Sequence, residues 1–215
     1  MQNMQKTINQ EYLIHSIEDL EAHYPGSRKL APATLLKETP VVNDEYRKLI
    51  ETAPFFALAS VGPEGLDCSP RGDGPGFVKI LDDDTLAFPD RRGNNRLDTL
   101  RNIVRDPRIA MMFLIPGWNE CLRVNGTARI SADPDLLEAF EVDNKLPATV
   151  ILIKITTMYF QCARAIIRAG LWDEADKVDP KSLPSAGQLV KSTMAEFDAE
   201  AYDAALPDRQ SKTLY

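Results

Sequence analysis

The segment FPDRRGNNRLDTLRNI (residues 88–103) gathers Arg91, Arg92, Asn94, Asn95 and Arg96 where an apolar run ends and an amphipathic one begins. Backbone N–H groups at a helix start, the positive end of the helix dipole and the Arg96 guanidinium are the parts of a phosphate site. The same residues admit a second use, in which Asn94 or Asn95 caps the helix and Arg96 is solvated on its first turn. Arg91 and Arg92 are the more exposed candidates. A second segment, SPRGDGPGFV (residues 69–78), sets Arg71 among small residues and three glycines, so its backbone can approach a ligand closely. It lacks the lysine and Ser/Thr of a P-loop and leads into no helix, and its plain reading is a tight loop. Arg71 and Arg96 flank one hairpin, and both can converge on a single anion if that hairpin folds as read.

The elements that must hold these arginines follow from periodicity. FVKI and TLAF, joined by the polar LDDD, read as the hairpin. Leu97, Leu100, Ile103 and Val104 recur at helical spacing, and RDPR ends that helix before the strand IAMMFLI. In CLRVNGTARIS (121–131) apolar and polar residues alternate, a strand with one buried face. ATVILIKITTMYFQC (148–162) is β-branched and apolar, a central strand. FFALASVG opens the β region at Phe55. Helices are expected after Ser16, after Asn43 and after Asp133, with Pro134 in the first turn of the last. The proline-broken stretch 25–40 reads as an extended connector, and SAGQLVKSTMAEFDAEAYDAAL as a helical tail. Five or six mostly consecutive strands and two helices between about 55 and 165 predict a mainly β fold with flanking helices, closed as a small barrel. One domain is expected over residues 1–215, with its core at about 45–175. A helical extension occupies about 1–44 and a helical tail about 176–215.

Composition narrows the partners. The chain has 215 residues, 44% hydrophobic and 27% charged, as an ordinary soluble domain does. A formal net charge of -7 leaves no basic surplus for non-specific nucleic-acid binding. No run approaches the roughly 18 apolar residues of a membrane span, and the first twenty residues lack the apolar core of a secretory signal. Cys68, Cys121 and Cys162 are odd in number and far apart, which argues against a disulfide framework and for a cytoplasmic location. His15 and His23 have no cysteine nearby, and Asp82–Asp84 reads as a solvated hairpin tip, so no metal is expected.

Taken in their linked order, SPRGD, FVKILDDDTLAFPDRRGNNRLDTLRNIVRDPRIAMMFLIPG and LRVNGTARI resemble the FMN-binding split barrel of the pyridoxamine 5′-phosphate oxidase-like superfamily. They are especially similar to a branch of bacterial flavoproteins within it. The resemblance covers about residues 45–175, including CARAIIRAGLW. It implies FMN bound between the two subunits of a homodimer, with each barrel supplying part of both sites. Carried over by position, Arg71 reaches the flavin phosphate or ribityl chain, and Gly72 and Asp73 lie beside the isoalloxazine edge. Pro89 and Asp90 end the hairpin facing the flavin, and Asn95 and Arg96 take the place of the phosphate-binding basic pair. Cys121 and Arg123, with Arg164 and Trp172, would reach the flavin from the partner subunit. The family's adjacent Arg and Lys are replaced here by Asn-Asn-Arg. The stretch DAALPDRQSKTLY does not reproduce the arginine-containing signature that holds the vitamin B6 enzyme's substrate phosphate. The implied function is therefore an FMN-dependent oxidoreductase acting on an unidentified small molecule, with no catalytic side chain assigned. A flavin carrier or redox sensor, and a barrel for haem or a deazaflavin, are the alternatives.

Overall fold

The computed structural model describes residues 9–24 and 32–215, so part of the connector expected over 25–40 lies outside the described residues. The chain divides into two compact units, residues 1–37 and 38–215. In the first, α1 (Ile17–His23) starts as its sequence requires, with the Ser16 hydroxyl accepting the Asp19 N–H at 3.0 Å. A short helix, α2 (Pro32–Leu36), replaces extended chain in the described part of the connector.

The second unit is built on seven strands: β1 (Phe55–Gly62), β2 (Gly65–Gly72), β3 (Lys79–Asp82), β4 (Thr85–Pro89), β5 (Arg108–Leu114), β6 (Cys121–Ser131) and β7 (Val150–Gln161). They form one antiparallel sheet in the order β2-β1-β5-β6-β7-β4-β3, the expected mainly β class. The ladders leave the sheet open: β2 and β3 are its edges, and among the described residues no pairing joins them. The count exceeds the expected five or six because SPRG is not a loop. It completes β2, with Arg71 opposite Phe56 and Gly72 opposite Phe55. Pro70 is tolerated there because an edge strand needs fewer N–H donors.

Helices flank the sheet. α3 (Asp44–Thr52) is capped by Asn43, whose Oδ1 accepts the Tyr46 N–H at 2.8 Å, and it buries Tyr46 and Ile50. α4 (Asp98–Arg105) buries Thr99, Asn102 and Ile103. α5 (Pro134–Glu138) begins at an Asp133 cap, and α6 (Arg164–Ala169) ends on Gly170 in the left-handed conformation. The tail is two helices, α7 (Ala186–Lys191) and α8 (Ala199–Lys212), joined where Asp203 accepts from the Ser185 hydroxyl and the Gly187 N–H. The core centres on Phe56, which stacks on Phe77 at 5.5 Å and meets Phe88 and Phe113 at 5.0 and 5.1 Å. These strands contribute alternate residues to one face, as their period-two patterns require.

Candidate functional site

Two polar ties fix α4 across the edge of the sheet. The buried Asn102 donates its amide to the Ser60 hydroxyl of β1 at 3.1 Å. Thr99, also buried, donates to Asp67 of β2 at 3.3 Å and lies 3.2 Å from the Ser69 hydroxyl. The helix can sit this close because position 62 is glycine: a Cβ there would stand 2.8 Å from the Asn102 side-chain oxygen. The start of α4 is thereby held beside β2, and a cleft of about 1000 Å³ opens between β2, the turn at 90–97, the start of α4 and the loop at 145–148. That is the upper end of the volume typical of small-molecule sites.

The turn is unusual. Leu97, the residue preceding α4, has a left-handed backbone (φ 58), and no side chain caps the helix. Asn95 is left-handed as well (φ 59). Leucine in this region costs on the order of 1–3 kcal/mol. The reading in which Asn94 or Asn95 caps the helix is therefore corrected: Asn94 Oδ1 accepts the Arg96 N–H instead, at 3.1 Å. The first turn of α4 faces the cleft without a side-chain acceptor, an arrangement suited to an anion.

Arg91 and Arg71 are the largely buried cations lining that space. Arg91 is 16% exposed, against the expectation that it is one of the more exposed arginines, and Arg71 is the one with an open donor. Its Nη1 pairs with Asp90 at 3.0 Å, both side chains being at most one-fifth exposed (20% and 15%). Its Nε is buried and has no hydrogen-bond partner. Leaving a buried donor unsatisfied costs about 1–3 kcal/mol, more for a charged group, so this nitrogen marks a place for an acceptor. Asp90 is set by continuation of the β4–β7 ladder, its N–H donating to the Thr149 carbonyl at 2.9 Å. Arg96 differs: its side chain is 74% exposed at the cleft rim and its Nε holds Asp98 at 2.6 Å.

Beside the cleft, Arg91 Nε donates to Asp73 at 2.8 Å and Arg91 Nη1 to the Phe140 carbonyl at 2.8 Å. Tyr215 donates its hydroxyl to the other Asp73 oxygen at 2.7 Å, and its ring lies 5.4 Å under the Arg91 guanidinium. Burial pushes the Asp73 carboxyl up. The hydrogen bonds from Tyr215, Arg91 and the Gly74 N–H outweigh it and hold the group below the ordinary carboxylate range. The Tyr215 phenol is displaced upward, chiefly by its hydrogen bond to that carboxylate and then by burial.

Comparison with known proteins is decisive at one point. The profile of the pyridoxamine 5′-phosphate oxidase family matches residues 42–162, more than half of the sequence. The chain belongs to that family. No curated protein matches it. Several solved structures are similar to it. HupZ of Group A Streptococcus is 19% identical, covers 55% of this chain and 93% of its own, and superposes with a TM-score of 0.45. General Stress Protein 26 of Bacillus anthracis is 17% identical (53% and 88% covered, TM-score 0.41). An FMN-binding protein of Syntrophomonas wolfei is 16% identical (54% and 88% covered, TM-score 0.41).

Of the residues expected at the family's site, Arg71, Asp90, Asn95 and Arg96 line the cleft. Gly72 and Asp73 follow Arg71 at the end of β2, with the Asp73 N–H on the Pro54 carbonyl at 3.1 Å. Pro89 is buried and paired with Val150, immediately before Asp90. Gly72, Asp73 and Pro89 thus adjoin lining residues without lining the cleft themselves, and four further residues lie elsewhere in the subunit. Cys121 is buried at the start of β6 opposite Gln161, and Arg123 lies over the Tyr159 ring at 5.2 Å. Arg164 is exposed at the start of α6, and the Trp172 indole donates to the Trp118 carbonyl at 2.8 Å. Residues not foreseen also line the cleft: Thr99, Lys145, Pro147 and Tyr215. None of them carried a sequence signal. The spacing of Leu97, Leu100, Ile103 and Val104 marks a different stripe, whereas α4 buries Thr99, Asn102 and Ile103 and leaves Leu97 and Val104 exposed, because the buried face is set by the polar ties to β1 and β2. Among the described residues no three His, Cys, Asp or Glu side chains converge as metal ligands, and no helix is long and apolar enough to cross a membrane.

Proposed function

We propose that this protein is a cytoplasmic, homodimeric FMN-binding flavoprotein that acts as an oxidoreductase on a small molecule. The observation that carries the cofactor assignment is the buried, unpartnered Nε of Arg71 in a cleft that also receives the uncapped start of α4. A flavin phosphate, with nearly two negative charges, suits that donor set, and the cleft volume suits the rest of the molecule. Arg71, Arg96 and the backbone of the turn would hold the phosphate, while Gly72, Pro89 and Asp90 would flank the remainder. Bound flavin supplies hydride chemistry; the protein supplies binding, orientation and electrostatics. Asp90 keeps the Arg71 guanidinium aligned, so that Nε is presented in a fixed direction.

Homodimerisation is supported by the sheet face turned away from the aromatic core. There Ala57 pairs with Met112, Ala59 with Ala110 and Phe55 with Leu114, and Met112 is 41% exposed. A second copy on that face would let Cys121, Arg123, Arg164 and Trp172 serve the partner's cleft, which the subunit's own cleft does not use. A symmetric interface of this kind is the common solution for soluble oligomers.

The absorption spectrum of the purified protein tests the cofactor. Flavin bands near 370 and 450 nm (about, for any flavin) are expected; a haem or deazaflavin spectrum overturns the assignment. Anaerobic bleaching by NAD(P)H is expected of the oxidoreductase, and a flavin that resists every donor would make the protein a carrier or sensor. Light scattering should give twice the 24.0 kDa chain mass.

A further inference from the structure

We propose that Tyr215 is a positioning residue for the anion cleft, acting through Asp73 and Arg91 to hold the 90–97 turn in its ligand-receiving shape. The proposal rests on the flavin reading above for its ligand, but its geometry is independent of it. Tyr215 stands three residues beyond α8 and 142 positions from Asp73, so its contact is made by tertiary folding alone. Each group in the chain of contacts is committed. The Tyr215 hydroxyl is on one Asp73 oxygen, and Arg91 Nε is on the other. Arg91 Nη1 is on the Phe140 carbonyl and its guanidinium lies over the Tyr215 ring. The Arg91 and Asp73 side chains are only 16% and 6% exposed, so these bonds are shielded from water and from salt.

The consequence concerns the residues that follow. Arg91 opens the run Arg92–Leu97, which is exposed and contains both left-handed residues, and so has little of its own to define it. Fixing Arg91 at its start, while Thr99 and Asn102 fix α4 at its end, leaves one short turn between two anchors. The clasp also withdraws Arg91 from the ligand: its charge is met by Asp73, and the anion is left to Arg71, Arg92, Arg96 and the helix start. Tyr215 lines the same cleft, so it can act on the bound molecule and on the turn at once.

The test compares the parent chain with Tyr215→Phe, which keeps the ring and loses the hydroxyl, and with Asp73→Asn. Two readouts are taken. Hydrogen exchange followed by mass spectrometry reports on residues 88–97 without any ligand; both variants are expected to exchange faster there and unchanged in β5–β6. Fluorescence titration with FMN and with riboflavin reports on the phosphate; Tyr215→Phe is expected to weaken FMN about tenfold and riboflavin less than twofold. A parent that binds FMN no better than riboflavin would end the flavin-phosphate reading, and the exchange data would then judge the clasp alone. Unchanged exchange across 88–97 in both variants, or equal losses for FMN and riboflavin, would overturn the proposal.

Discussion

The two walls of the cleft carry arginine–aspartate pairs of opposite character. On the sheet side, Arg71 and Asp90 stand at strand ends, both largely buried, and are joined at 3.0 Å. On the helix side, Arg96 and Asp98 are two residues apart, 74% and 42% exposed, and closer still at 2.6 Å. The shorter contact is the weaker constraint. An exposed local pair is screened and gives about 0–1 kcal/mol, whereas a buried charge that loses its partner costs about 3–5 kcal/mol. Burial, not distance, separates the two, and under the proposed function the sheet side is expected to supply the larger share of ligand affinity. The helix side is adjustable, with a strained turn and solvated side chains.

Four measurements put this contrast at risk. Arg71→Ala should reduce FMN affinity by about two decades or more, since a charge-assisted hydrogen bond contributes about 1.5–3 kcal/mol and Asp90 would be left uncompensated. Calorimetric titration checks it, and a loss under threefold would make the two walls equivalent. Next, Gly62→Ala should destabilise the fold by about 1–3 kcal/mol, because the new methyl meets the Asn102 side-chain oxygen at 2.8 Å, so that the buried amide must turn from its Ser60 bond or α4 must shift. Chemical denaturation reads the stability, and FMN binding should weaken with it. Arg96→Ala comes third: FMN affinity should fall about three- to tenfold, and less in high salt, with riboflavin unaffected. A fall as large as that for Arg71→Ala would mean that ligand binding buries Arg96.

The smallest effect is on pH dependence. The folded-state pKa of Asp73 is depressed, so its contribution to stability is present above the unfolded carboxylate value, near 3.9, and is lost as pH falls through the lower folded value. The Tyr215 pKa is raised, so the contribution of its hydroxyl is present below about 10 and disappears as pH rises through the folded value. The melting-temperature difference between parent and Asp73→Asn should therefore hold from about pH 5 to 9 and shrink outside that window. A difference that stays constant to pH 2 would detach Asp73 from the clasp.

Much of the scaffold is legible in short-range pattern. The Ser16, Asn43 and Asp133 caps are local chemistry, a side-chain oxygen two or three residues from the N–H it accepts, and each stands where its sequence puts it. The alternation in Cys121–Ser131 and the apolar run in Val150–Gln161 specify their strands for the same reason. The turn at 90–97 is harder to read because its asparagines are good caps in isolation. Here the pinning of α4 by Thr99 and Asn102 starts the helix at Asp98, beyond their reach. SPRG has the composition of a glycine-rich loop, and pairing with β1 makes it an edge strand.

Strands, most of the helices and the family are thus encoded locally, through patterns that repeat within a few residues and a linked order of segments. Which arginine is buried is a matter of tertiary packing. Arg71 and Arg96 have the same charge and similar small, polar neighbours, and only the assembly of β2, β4 and α4 gives one an orphaned nitrogen and the other solvent. The same assembly brings Tyr215 to Asp73 across 142 positions. No local periodicity encodes such a contact, because burial and long-range proximity are set by the assembled sheet rather than by any residue's neighbours in sequence.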